Sequence, residues 1–155
     1  MRPDTIERSR PAEVSHVAVI AETEASTRDA LSVVLRDAGY EMKMATEPEE
    51  LATVLQARPL VESRSPLLVL SVGLARRCAG ALAALAAQRA REGAAEINLM
   101  LTYEPGTLTA VVRPSLGPCN LVGMFEKPLD LDELRSLART TKLVAEGAPP
   151  SPRSN

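Results

Sequence analysis

The chain has 155 residues, enough for one domain with a full-sized core and short tails. Hydrophobic residues make up 45% but aromatic ones only 2%, so the core has to be built from Ala, Val, Leu, Ile and Met. A formal charge of −2 gives no basic field to attract nucleic acid or anionic lipid, and no apolar run approaches the ~20 residues of a bilayer span.

Residues 1–14 carry Pro3, Pro11 and mixed charge without an apolar period, and read as a flexible lead-in rather than a signal peptide. The run His16-Val17-Ala18-Val19-Ile20 is short and nearly all apolar, as suits a strand buried on both faces. Leu31, Val34, Leu35 and Ala38 then fall on one helical stripe, and Gly39 follows as a stop. Tyr40, Met42 and Met44 alternate with Glu41 and Lys43, the pattern of a strand near a sheet edge. Thr46 and Glu49 form a capping-box pattern around Pro48, ahead of a helix carrying Leu51, Val54 and Leu55.

Pro66 introduces an apolar strand from Leu67 to Val72, and the Ala-rich stretch from Ala79 to Arg91 predicts a helix closed by Gly93. Ile97 to Leu101 reads as a fourth strand, Thr107 to Val112 as a weaker helix ended by Pro114, and Leu121 to Phe125 as a fifth strand. The Asp130-Leu131-Asp132-Glu133 segment caps a last helix bearing Leu131, Leu134, Leu137 and Ala138. The Pro-, Ser- and Gly-rich residues 144–155 read as a disordered tail, too short for an appended helix-turn-helix module. Strands and helices in alternation force right-handed crossovers and a parallel sheet covered on both faces. The expected fold is therefore α/β, a doubly wound, five-stranded, flavodoxin-like sheet over residues 15–143, with sites at the carboxyl ends of its strands.

Arg28, the Leu35 to Tyr40 stretch, Leu70-Ser71-Val72-Gly73-Leu74, Leu101-Thr102 and above all Phe125-Glu126-Lys127-Pro128-Leu129-Asp130 resemble the receiver domain of bacterial response regulators. The resemblance implies a site of two acidic residues after the first strand that hold Mg²⁺, an Asp at the end of the third strand that takes up phosphate, a Thr or Ser, and a Lys. Here those positions fall on Glu22, Thr23, Ser71, Thr102 and Lys127, with Glu24 close by. The place of the family's switching aromatic, three residues before the lysine, is Met124.

A serine hydroxyl is a weak nucleophile without a base, and His16 belongs at the opposite end of its strand, so Ser71 reads as a structural residue; modification by an unrelated kinase is the alternative. With two carboxylates missing, Mg²⁺ binding is expected to be weak or absent, and no cofactor or catalytic residue is expected. Lys127 needs either an ion pair with Glu22 or an anionic ligand. Arg76, Arg77, Arg89 and Arg91 read as a solvated helix face, or else as a dock for an acidic partner. The segments 102–106 and 113–118 flank the weak fourth helix and read as loop drift or as a reshaped binding surface.

Cys78 and Cys119 have no metal-ligand spacing and read as thiols in a reducing cytoplasm. The resemblance thus implies a degenerate, phosphorylation-independent receiver that acts through signalling partners such as a histidine kinase or another regulator, or through self-association, without nucleic acid or membrane. The rival reading is a sensor of a small anion or nucleotide second messenger, for which no Gly-rich phosphate loop speaks.

Overall fold

A computed structural model describes residues 16–61, 63–106 and 119–145. Five strands form one parallel sheet: β1 (Val17–Ala21), β2 (Glu41–Ala45), β3 (Leu67–Ser71), β4 (Ile97–Tyr103) and β5 (Cys119–Glu126), in the order β2-β1-β3-β4-β5. The described helices are α1 (Ala25–Asp37), α2 (Pro48–Gln56), the single turn α3 (Arg58–Val61), α4 (Val72–Arg77), α5 (Ala79–Arg91) and α6 (Leu131–Ala145). This is the expected doubly wound architecture, with β2 at an edge as its alternating pattern predicts.

Period-two alternation in β1 divides the core. Val17, Val19 and Ala21 join Leu68 and Leu70 beneath Leu51, Leu55 and Leu82 of α2 and α5. Ala18 and Ile20 join Leu67, Val69 and Met100 against Leu31 and Leu35 of α1 and Leu134 and Ala138 of α6. Burial on both faces is why β1 and β3 read as unbroken apolar runs. Gly39 and Gly93 close α1 and α5 at φ of 98° and 71°, a backbone region that side chains disfavour.

Several local expectations change. Helix α2 begins at Pro48 with Glu47 as its N-cap, one residue later than the capping-box pattern assumed. Glu50, not Glu49, is therefore three residues inside the helix, and its carboxylate accepts from the Thr46 backbone N–H at 2.8 Å and hydroxyl at 3.0 Å. Asp130 does cap α6, accepting from the Glu133 N–H at 3.1 Å, and that helix runs through Ala145, into residues read as tail.

Arg89 does not belong to a solvated face. It is 3% exposed, on the same stripe of α5 as Leu82 and Leu85, because it lies seven and four residues beyond them. Its guanidinium donates to the carbonyls of Ala95, Val61 and Arg64 at 2.9, 3.2 and 3.2 Å. Arg76, Arg77 and Arg91 are exposed as expected. The lead-in of residues 1–14, the weak helix at 107–112, the 113–118 segment and the tail beyond Ala145 lie outside the described residues.

Candidate functional site at the carboxyl ends of the strands

Parallel pairing sets the carboxyl ends of β1, β3, β4 and β5 side by side, with Ser71 opposite Thr102 and Thr102 opposite Phe125. Glu22 follows β1 directly and is 1% exposed. Lys127 follows β5, and its backbone N–H donates to the Tyr103 carbonyl at 2.9 Å, which ties that loop to the end of β4. The Lys127–Pro128 peptide bond is cis. The structure thus brings Glu22, Thr23, Ser71, Thr102 and Lys127 around one cavity of about 300 Å³, at the opposite end of β1 from His16.

Within it, Lys127 Nζ lies 2.8 Å from Glu22 Oε2, the ion pair that the sequence offers as one of two partners for this lysine. Glu22 is fully engaged: Oε2 also accepts from the Glu24 N–H at 3.1 Å, and Oε1 from the Thr102 hydroxyl at 3.4 Å. Arg28 of α1 holds the adjoining turn by donating to the Glu22 and Thr23 carbonyls at 3.0 and 3.3 Å.

Two further carboxylates reach the ammonium, Glu24 at 3.4 Å and Glu104 at 3.3 Å. Glu24 was visible in the sequence as a neighbour of the metal positions. Glu104 lies in a segment whose sequence marks only a loop, although its place two residues past Thr102 sets it at the same sheet end as Lys127. Desolvation alone would lower the Lys127 pKa, but hydrogen bonds and charge from Glu22 and Glu104 outweigh it and raise the value above the ordinary 10.5. The Thr27 hydroxyl, 2.6 Å from Glu24, and then Lys127 hold the Glu24 carboxyl below its ordinary 4.5.

Ser71 is the N-cap of α4, its Oγ accepting from the Leu74 N–H at 3.4 Å. The helix starts at Val72, so the strand expected to reach that residue stops one short and the turn after β3 is helical from its first residue. Thr23 is exposed. Met124 is half-buried against the α2–α5 side of the core, whereas Phe125 is buried on the other side, its ring filling the space where a Cβ on Gly123 would stand 2.9 Å away. Cys78 is a buried thiol donating to the Pro48 carbonyl at 3.4 Å, and burial pushes the Cys119 thiol up to about 11.

Solved structures with a similar fold include three that can be compared directly. Full-length FixJ from B. japonicum aligns with a TM-score of 0.56 at 17% identity over 85% of this chain and 59% of its own. A structure described as a novel family of redox sensors in the streptococci that evolved from two-component response regulators gives 0.58 at 16% identity over 87% and 56%. A putative response regulator from Chloroflexus aurantiacus gives 0.52 at 16% identity over 80% and 98%. The chain has the fold of a response-regulator receiver domain. It spans less than three-fifths of the length of the first two of those proteins. No family model and no curated protein matches the sequence. No helix among the described residues is long and apolar enough to cross a membrane.

Proposed function

We propose that the chain is a phosphorylation-independent receiver variant, a protein–protein interaction module of two-component-type signalling in the bacterial cytoplasm. The observation that carries this reading is the 2.8 Å ion pair between Lys127 and the buried Glu22. Phosphoryl transfer on a receiver needs the acidic residues open to Mg²⁺ and the lysine open to an acyl phosphate. Here both oxygens of Glu22 are taken, by Lys127, Thr102 and a backbone N–H.

The residues do not fit Mg²⁺. Thr23 and Ser71 are neutral where the resemblance calls for carboxylates, and Mg²⁺ would have to displace an ammonium that is already in hydrogen-bond contact. Nor do they favour nucleophilic attack, since Ser71 Oγ accepts the cap bond of α4 and the carboxylates on the same cavity, Glu22 and Glu104, are held by Lys127. Three carboxylates around one ammonium also repel a phosphate or nucleotide, which counts against the sensor of small anions at this site. The pocket is fixed in one state, and output passes through a bound partner such as a histidine kinase or another regulator, or a second copy. The streptococcal redox sensors, described as evolved from response regulators, support the idea that this fold serves signals other than its ancestral one.

The test is a ¹⁵N-labelled sample titrated with Mg²⁺ plus beryllofluoride, and separately with Mg²⁺ plus acetyl phosphate. The amide signals of Ser71, Thr102 and Lys127 are expected to stay in place. Saturating shifts at those residues would remove the reading.

A further inference from the structure

The opposite end of the sheet holds a second cavity with a different chemistry. A cleft of about 590 Å³ opens between the amino ends of β4 and β5 and the last turns of α6. Along α6 the burial falls from Leu134 and Ala138, both fully buried, to Val144, which is 56% exposed. Leu137, Thr141 and Val144 of the helix form one wall, and Val122 of β5 faces them.

The floor is polar. Ser65, Asn98 and Asn120 stand in a row across the starts of β3, β4 and β5, with Asn98 directly opposite Asn120 in the register. Asn98 Nδ2 donates to Ser65 Oγ at 2.7 Å, and Asn98 Oδ1 accepts from Asn120 Nδ2 at 2.8 Å. Ser65 and Asn98 are 6% and 8% exposed. Two places along β4 the same face carries Met100, an apolar core residue, so the row forgoes hydrophobic burial that the neighbouring position takes.

A carboxamide has two donors and two acceptor sites. Asn120 spends one donor on Asn98, which leaves its Oδ1 and second N–H for a group in the cleft. At the rim Arg64 and Glu96 cancel, so the cleft has no net charge to select an ion. Apolar walls, a few convergent polar groups and a volume within the ~300–1,000 Å³ of small-molecule sites match the general pattern of a ligand cleft.

We infer that this cleft binds a small neutral molecule with a planar amide edge, a carboxamide or lactam, on an apolar ring or short aliphatic body. The amide edge meets Asn120 and the Asn98 row, and the body covers Val122, Leu137 and Val144. The site is separate from the Lys127 pocket and does not depend on how that pocket is read.

Benzamide, benzoate and benzyl alcohol titrated into the ¹⁵N-labelled protein provide the test. Benzamide is expected to shift the amides of Asn98, Asn120, Val122 and Thr141 saturably in the millimolar range, the affinity of a fragment this size, while those of Ser71 and Lys127 stay still. Benzoate and benzyl alcohol lack the donor–acceptor edge and are expected to bind several-fold more weakly. Asn120→Ala, at an exposed position, should weaken benzamide about fivefold, the loss of roughly one hydrogen bond. Val144→Trp should block the cleft without disturbing the buried side of α6. No saturable shift with benzamide, equal response to all three probes, or unchanged binding in Asn120→Ala would each overturn the proposal.

Discussion

Lys127 shows how one side chain can carry both stability and functional state. Its side chain is 13% exposed and that of its first partner, Glu22, 2%. Removing the cation leaves a buried carboxylate without its counter-charge, which costs more than the pair contributes net. Lys127→Met is therefore expected to destabilise by about 3 kcal/mol in urea unfolding, and the double variant Lys127→Met/Glu22→Gln to recover most of the loss. Recovery separates an ion pair from a merely crowded lysine. Ser71 makes a smaller contribution: as an N-cap, its change to Ala should cost about 1 kcal/mol, and Ser71→Asp should retain the cap. Much of this site was legible in the sequence, because Thr102 and the Lys127-Pro128 junction resemble those of a receiver domain and the alternation sets their strand ends at one end of the sheet. The reach of Glu104 was not, because a loop's direction depends on tertiary contacts that no period encodes.

At the scale of elements, α5 shows what a charged residue can do inside an apolar stripe. A helical wheel alone places Arg89 with Leu82 and Leu85, and composition places it in water; the wheel is right because three carbonyls satisfy the guanidinium. Arg89 thereby pins the end of α5 to the segments before β3 and β4. Arg89→Met should cost about 3 kcal/mol, by orphaning buried carbonyls and losing a charged donor, and Arg89→Lys should restore little, since one ammonium cannot span the fork. Paired thermal-denaturation curves of the two variants check this. The start of α4 was not legible: Leu67 to Val72 reads as one apolar strand, and the N-cap bond at Ser71 starts the helix at Val72 instead.

For the whole molecule, the two core layers follow from the β1 and β3 alternation, and so the fold class was legible almost entirely from apolar periodicity. Stability should follow pH with a definite sign at both ends. Lys127 titrates above its ordinary 10.5 in the folded state, so its contribution is complete below that value and is lost as pH rises through the folded pKa. Glu24 titrates below its ordinary 4.5, so its contribution is present above that value and fades as pH falls through the folded pKa. Urea midpoints measured from pH 3 to 12 should show a plateau whose alkaline shoulder disappears in Lys127→Met.

The scarcity of aromatic residues has an optical consequence. The chain has no Trp and two Tyr, so its intrinsic fluorescence belongs to the tyrosines alone. Tyr40 lies buried before β2, its hydroxyl donating to the Ala138 carbonyl, while Tyr103 ends β4 on the rim of the Lys127 cavity. The two emitters therefore stand at opposite poles of the sheet. In Tyr103→Phe the remaining signal reports on the packing of α6 against the sheet, and the difference from the parent chain reports on the pole where Lys127 sits, so a partner's choice of pole can be read without a label.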